Sequence, residues 1–177
     1  MNHKDREDTA LFFTVLFAVA ILMILFVVVK SYGEDLRQDV WLRCRETDVP
    51  YVLASRLIYT ESRWNPRAIG DREVIGNRSL GLMQLSEKYL PDYARRFNGG
   101  EKIDPFNPRV SIRIGLYYLA QLYRRFGSWW AAVAAYNCGA SRVERGLIPR
   151  STIKYADYIM QRPELDRCEF EKRMTLK

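Results

Sequence analysis

The sequence predicts an all-α globular domain preceded by one transmembrane helix. Residues 11–29 form an uncharged apolar run in which only Thr14 is polar. The rest of the chain shows apolar residues at helical spacing between short loops, and no segment has the clean alternation of a β-strand. We therefore expect an N-terminal tail (1–10), a membrane anchor (11–30) and a helical domain (31–177).

The apolar run has the length of a membrane span. At about 1.5 Å per residue it reaches roughly 28 Å as a helix, close to the hydrocarbon thickness of a bilayer. A cleaved signal peptide is the alternative, since residues 18–20 (Ala-Val-Ala) resemble a cleavage site, but further apolar residues follow them. The flanking charges do not indicate an orientation. We expect a single-pass protein of the cytoplasmic (inner) membrane, held there by residues 11–29.

Capping residues place the first helices of the domain. The first is predicted at about 33–47, and Asp48 is the expected cap of the second, which runs to about Arg63. Residues 67–80 are polar and rich in glycine, which predicts a loop. A further helix ends near Phe97, before a turn of asparagine and two glycines.

Three more helices follow along the chain. An asparagine followed by proline begins the longest helix of the domain, at 107–127. Ser128 caps a short alanine-rich helix, and the last helix starts at Ser151 or Thr152. The domain therefore reads as helices joined by short connections.

The inventory of ionisable residues excludes several chemistries. The single histidine, His3, lies in the tail before the anchor. A Ser-His-Asp or Cys-His arrangement in the domain is therefore excluded, as is a histidine-ligated zinc site. The formal net charge of +7 suits an anionic partner, either nucleic acid, a lipid surface or a cell-wall polymer. Catalysis must rest on carboxylates, hydroxyls, amides, lysine or a lone thiol.

Glu61 has the placement of a general acid. Leu53, Leu57 and Glu61 recur at i, i+4 and i+8 of the second predicted helix, so the carboxyl group lies on the stripe that faces the core. Desolvation there raises the pKa of a carboxyl group and keeps it protonated nearer neutral pH, as a general acid requires. The alternative is an ordinary glutamate near a helix end that reaches out to water.

Four motifs then occur in a specific order. ESRWNP at residues 61–66 is followed by GLMQ at 81–84, by AYNCG at 135–139 and by Tyr155. Together they resemble the motifs of the soluble lytic transglycosylase family, and the resemblance covers roughly residues 52–158. The stretch before GLMQ is longer than in many members, and the third motif has a cysteine where alanine is usual.

The resemblance implies a lysozyme-like, mostly helical fold and a reaction. The family cleaves the bond between N-acetylmuramic acid and N-acetylglucosamine in peptidoglycan without water, leaving 1,6-anhydromuramic ends. Glu61 would protonate the glycosidic oxygen, and its carboxylate would then take the proton of the C6 hydroxyl of the same sugar. No cofactor and no metal is implied. The domain would face the periplasmic or extracytoplasmic side, and a cell-wall-spanning or secretion assembly is a candidate partner.

The resemblance also implies the residues that bind the sugars. Gly81 would allow the backbone to approach a sugar, and the Gln84 amide suits an acetamido group. A tyrosine offers a flat face for a sugar ring together with a hydroxyl. Gln84 satisfying a buried backbone group, and the tyrosines acting as core residues, are the alternatives. The implied substrate-binding residues are Ser79, Gly81, Gln84, Tyr136, Asn137 and Tyr155.

Three other functions compete with the transglycosylase. A hydrolase resembling goose-type lysozyme would need a carboxylate to position water, for which Asp71 and Glu73 are candidates. An inactive glycan-binding module has no need for the glutamate on the core-facing stripe. A nucleic-acid-binding domain is disfavoured, because no basic helix face is interleaved with stacking aromatics.

The cysteines allow one structural hypothesis. Cys44 and Cys168 bracket the catalytic region, and a disulfide between them would tie the C-terminal tail to the first helix. Three reduced thiols, with Cys44 filling core space, are the alternative. Cys138 occupies a small-residue site and is predicted to be a buried free thiol.

Overall fold

In this computed structural model, residues 3–70 and 78–161 are described, with side chains at 12–28 and from 35 onward. The chain divides into two units, Met1–Gln38 and Asp39–Lys177. Helix α1 (His3–Thr47) begins in the first unit and ends in the second. The separate helix predicted at 33–47 is thus the end of one continuous helix. Its predicted C-terminal boundary, Thr47, is correct.

The prediction of a membrane anchor is wrong. Among the described residues, no helix is both long enough and apolar enough to cross a membrane. The predicted localisation, single-pass in the cytoplasmic (inner) membrane through residues 11–29, is corrected accordingly.

The second unit is mostly helical, as predicted. After α1, the helices are α2 (Tyr51–Ser62), α3 (Leu90–Phe97), α4 (Pro108–Phe126), α5 (Trp129–Cys138), α6 (Ala140–Glu144) and α7 (Arg150–Met160). A short 3-10 helix (Glu87–Tyr89) precedes α3. Helix α6 was not predicted, because five residues are too few to show a helical period.

A small antiparallel sheet departs from the predicted all-α fold. Its strands are β1 (Ile69–Gly70), β2 (Ser79–Leu80) and β3 (Leu85–Ser86), in that spatial order. Two-residue strands cannot display alternation, so sequence periodicity does not detect them. The predicted loop at 67–80 therefore contains two strands. The residues between them, 71–77, lie outside the described part of the chain.

The helix caps explain where the elements begin and end. Ser128 Oγ accepts a hydrogen bond from the Ala131 amide at 3.1 Å, as predicted for an N-cap. The predicted cap of α2 is wrong, because Asp48 has a left-handed backbone (φ 57°) and Pro50 occupies the cap position. Helix α7 begins at Arg150, slightly earlier than predicted.

Helix α5 forms the centre of the core. Its residues 131–135 are fully buried, and it packs against α4, α6 and α7. Trp130 is also buried, and its indole N–H donates to Asp157 Oδ1 at 2.7 Å. Close packing around the middle of the helix explains why residues 131–135 are all alanine or valine.

Helix α4 fixes the loop that follows β2. A Cβ on Gly115 would lie 2.6–2.8 Å from side-chain atoms of Met83, so the glycine allows the loop to touch the helix. The Met83 amide donates to the hydroxyl of Ser111 on the same helix at 3.1 Å. These contacts fix the position of the segment that carries Gln84 relative to α4.

The described cysteines are thiols. Cys44 is buried and free, and burial raises its pKa to about 11. Cys138 is also free, but it is half-buried and not fully buried as predicted, because it ends α5 near the surface. Cys168, the predicted disulfide partner of Cys44, lies outside the described residues.

Candidate functional site

Glu61 lies in the last turn of α2. Leu53 and Leu57 on the same stripe are buried, as the helical spacing predicts. The helix stops directly after the acid because Arg63 and Trp64 both have left-handed backbones, with φ of 51° and 63°. Non-glycine residues rarely adopt this conformation, and such strain is found where surrounding structure imposes it. The strained turn fixes the end of the helix and thereby the carboxyl group.

The carboxyl group of Glu61 is set up to exchange a proton near neutral pH. Desolvation by burial raises its pKa from 4.5 to about 7, and a hydrogen bond from Tyr155 opposes this rise. The Tyr155 hydroxyl donates to Glu61 Oε1. Because the pKa lies near neutrality, the group can donate a proton and then accept one without a large energetic penalty for either step.

The two predicted tyrosines have different surroundings. Burial and the nearby Glu61 raise the pKa of Tyr155 well above its usual value, so its phenol stays neutral and donates. The hydroxyl of Tyr136 donates to the Met83 carbonyl at 2.7 Å. Burial also raises the pKa of Tyr136. The Tyr136 hydroxyl is therefore engaged by the backbone, and what this residue offers a ligand is its ring.

A cavity of about 280 Å³ brings most of the predicted site residues together. Five of the seven predicted site residues line it, and the other two, Gly81 and Tyr155, do not. Tyr155 instead contacts Glu61. The sixth lining residue, Gly70, lies in the segment 67–80, which the sequence predicted only as a loop. The lining residues are Glu61, Gly70, Ser79, Gln84, Tyr136 and Asn137.

Gln84 is held by the backbone around it. Its amide nitrogen donates to the carbonyls of Gly81 at 2.9 Å and Ala68 at 3.3 Å, and its own backbone is left-handed (φ 48°). With the amide hydrogens engaged, the group left to face a ligand is the oxygen Oε1. Gly70 lies beside this oxygen, since a Cβ there would be 2.6 Å from it.

Gly81 serves the fold of the loop. Its φ of 75° is in the left-handed region, and an added Cβ would collide with the carbonyl oxygen of Pro105. Contact with Pro105 therefore requires glycine at this position whether or not a sugar approaches it, and the role in sugar binding that the resemblance implies stays a prediction.

Asn137 is oriented by a residue that the sequence did not single out for the site. The buried hydroxyl of Thr152, on α7, donates to Asn137 Oδ1 at 2.7 Å. This hydrogen bond engages the oxygen of the amide, so the NH₂ group is the part of Asn137 that is left for a ligand. The sequence considered Thr152 only as a helix start, because a contact between α5 and α7 has no local signature.

Comparison with known proteins identifies the family. The family described as "Transglycosylase SLT domain" matches residues 43–158, more than half of the chain. The chain belongs to this family. Its fold is the mostly helical, lysozyme-like SLT fold.

Relatives of this SLT domain are matched over different shares of their length. "X polypeptide" of Escherichia coli is 37% identical over 93 residues, which are 52% of this chain and 54% of that protein. "Invasion protein IagB" of Salmonella typhi is 27% identical over 143 residues, 78% of this chain and 86% of that protein. The chain thus spans about half the length of the first relative.

A solved structure shows the same fold. The 70 kDa soluble lytic transglycosylase SLT70 from Escherichia coli is similar with a TM-score of 0.56 and 27% identity. The match covers 67% of this chain and 22% of that much longer protein. This SLT domain is therefore comparable to one part of SLT70.

Proposed function

We propose that this chain is a peptidoglycan lytic transglycosylase with Glu61 as its catalytic acid and base. The observation that carries the proposal is the Glu61 carboxyl group, desolvated, bonded by Tyr155 and exposed to a cavity of about 280 Å³. Among the described residues that line this cavity, Glu61 is the only carboxylic acid. A single group that both gives and takes a proton suits a reaction in which the substrate supplies its own nucleophile.

The proposed reaction breaks one bond and forms one. Protonated Glu61 gives its proton to the glycosidic oxygen as the bond from that oxygen to C1 of N-acetylmuramic acid breaks, and N-acetylglucosamine leaves with a free 4-hydroxyl. The acetamido group of the substrate assists at C1. The Glu61 carboxylate then takes the C6 hydroxyl proton as O6 bonds to C1. The 1,6-anhydro ring closes, and Glu61 is protonated again.

The neighbouring residues support these steps. Tyr155 steadies the carboxylate produced by the first step, because it donates to the charged oxygen. Asn137 presents an NH₂ donor and Gln84 an amide oxygen, which suits the carbonyl and N–H of an acetamido group. The ring of Tyr136 offers a flat wall to a sugar. Ser79 adds a hydroxyl at the rim.

Other predicted properties stay proposals or alternatives. Peptidoglycan strands are the proposed partner, and a cell-wall-spanning or secretion assembly stays a prediction. The alternatives are hydrolysis of the same bond and an inactive glycan-binding module. The residues proposed to position water for hydrolysis, Asp71 and Glu73, lie outside the described part of the chain.

Replacing the acid tests the proposal. Gln is nearly isosteric with Glu but has no acidic proton, so Glu61→Gln should lower the rate of clearing a peptidoglycan suspension by about a hundredfold or more. Binding to the insoluble polymer should be retained. Glu101→Gln, at an exposed glutamate, is the matched control and should clear the suspension normally. Clearing by Glu61→Gln within a few-fold of the wild type would show that the acid has been misassigned.

A further inference from the structure

A second cavity, of about 610 Å³, lies along α3 and α4 and the beginning of α6. It is larger than the cavity at Glu61 and shares no lining residue with it. None of the residues that line it belongs to the four sequence motifs. Its lining side chains are mainly aromatic and basic.

The aromatic wall leads from this cavity to the one at Glu61. Tyr93 is central to it, with ring centroids 6.2 Å from Phe97, 6.4 Å from Tyr89 and 5.7 Å from Tyr118. The ring of Tyr118 lies 5.6 Å from that of Tyr136, which lines the Glu61 cavity. The two cavities are therefore neighbours, separated by one pair of tyrosine rings.

Part of the charge around the second cavity is already neutralised. The Asp92 carboxylate accepts from Arg95. Arg125 is paired with Glu144 at 2.5 Å. Each of these two ion pairs is neutral by itself. The net charge of the cavity lining is therefore set by its other charged residues.

The remaining lining charges are two arginines. Arg96 and Arg124 line the cavity and are exposed, and within the described part of the chain neither forms an ion pair. Arg96 lies close enough to Tyr93 and Tyr118 to oppose electrostatically the rise in their pKa that burial causes. Both phenols stay neutral and can donate hydrogen bonds beside the guanidinium groups.

We propose that this second cavity binds the carboxylates of an acidic peptide, namely the peptide stem of the glycan strand held at Glu61. A guanidinium group can bind a carboxylate through two parallel hydrogen bonds. Arg96 and Arg124, which form no ion pair within the described part of the chain, can therefore bind the acid groups of a short peptide. The neutral aromatic wall beside them can contact its aliphatic parts. The assignment of the peptide to peptidoglycan rests on the proposed function.

The charge distinguishes the peptide from the sugars of the strand. N-acetylglucosamine is neutral, and the acid group of N-acetylmuramic acid is consumed in the amide bond that carries the stem. The free carboxylates of the polymer are therefore in its peptides. A stem is attached to a sugar of the strand, and the second cavity is the site that adjoins the Glu61 cavity across Tyr118 and Tyr136.

Calorimetric titration with a defined peptide tests this inference. The probe is a synthetic stem tripeptide with free carboxylates, compared with the same peptide with its carboxylates amidated, against the full chain at low salt. The free acid should bind at least about tenfold more tightly than the amidated form, the size of one charge-assisted contact. Added salt should weaken the binding.

Charge-matched double variants locate the site. Arg96→Gln/Arg124→Gln should bind the acidic peptide at least about tenfold more weakly than the wild type. Arg150→Gln/Lys154→Gln removes two exposed positive charges from α7 that line neither cavity and should bind as the wild type does. Circular dichroism should show the same helix content in both.

The outcomes separate this inference from the proposed function. Equal binding of the free and amidated peptides, or equal binding by the two double variants, would overturn the inference. If the wild type releases anhydro ends but lacks arginine-dependent peptide binding, only the inference fails. If arginine-dependent binding is found without any anhydro ends, the cavity stands as an acidic-peptide site and the proposed reaction fails.

Discussion

The hydroxyl of Tyr155 donates a hydrogen bond to Oε1 of Glu61, although the two residues lie 94 positions apart in the chain. Tyr155 is on α7 and Glu61 is in the last turn of α2, and these helices pack against each other. Burial raises the pKa of the carboxyl group and the tyrosine lowers it. The balance between these two effects should set the pH range in which the protein works.

The pH profile of turnover is the first prediction. A general acid must be protonated, so the rate should fall as pH rises through the Glu61 pKa of about 7. Tyr155→Phe removes the hydrogen bond that stabilises the carboxylate, and its alkaline limb should move to higher pH. The measurement is the initial rate of clearing between pH 5 and 9, with Tyr158→Phe, at an exposed tyrosine of the same helix, as the control. A limb that stays in place in Tyr155→Phe would contradict the role given to this bond.

The stability of the fold should depend on pH through the same carboxyl group. Because the folded-state pKa of about 7 lies above the ordinary glutamate pKa of 4.5, which applies in the unfolded chain, protonated Glu61 stabilises the fold below pH 4.5. That contribution is lost as pH rises through 7. The full shift corresponds to about 3 kcal/mol, and partial exposure reduces it. Glu61→Gln should therefore be more stable than the wild type by about 1–2 kcal/mol at pH 8, and equally stable at pH 4.

Urea unfolding at the two pH values measures this difference. Glu101→Gln, at an exposed site, should show no pH-dependent gain. Equal unfolding free energies of Glu61→Gln and the wild type at pH 8 would mean that the carboxyl group is not desolvated.

Two glycines should respond differently to alanine. In Gly70→Ala the new Cβ would lie 2.6 Å from the Gln84 Oε1, the end of a side chain that can shift. Turnover should fall about tenfold while the free energy of unfolding changes by less than about 1 kcal/mol. In Gly81→Ala the Cβ would meet the Pro105 carbonyl at a left-handed φ, so the fold should lose about 3 kcal/mol. The measurements are the initial rate of clearing and the urea midpoint of both variants. A large loss of stability in Gly70→Ala would contradict the role of Gly70 as a residue of the cavity wall.

Thr152 should act through Asn137. Thr152→Val keeps the shape of the side chain but removes the donor to Asn137 Oδ1, so the amide is free to rotate and present its oxygen to the cavity. We expect about a tenfold lower kcat/KM. Thr47→Val is the control, since it removes a buried threonine hydroxyl bonded to the Arg43 carbonyl. Both variants should lose about 1 kcal/mol of stability, so a rate loss shared by the control would point to the fold and not to Asn137.

Local patterns predicted part of this structure well. Helical spacing correctly predicted that Glu61 lies on the buried stripe of α2, and the capping preference of serine correctly predicted Ser128 as the N-cap of α5. Both features depend only on residues that are close in the sequence. The sheet of two-residue strands and the roles of Gly70 and Thr152 depend on contacts between distant segments. Such contacts leave no period or cap in the sequence. The predicted membrane anchor rested on the length and the apolar composition of residues 11–29, and among the described residues no helix meets the requirement for a membrane span.

The mass of the glycan fragments released by the wild-type chain tests the central claim most directly. If Glu61 directs the C6 hydroxyl onto C1, the fragments should end in 1,6-anhydromuramic acid, lighter by one water than the hydrolytic product, and Glu61→Gln should release almost none. Fragments that carry only reducing ends would contradict the transglycosylase account and assign the protein to hydrolysis of the same bond.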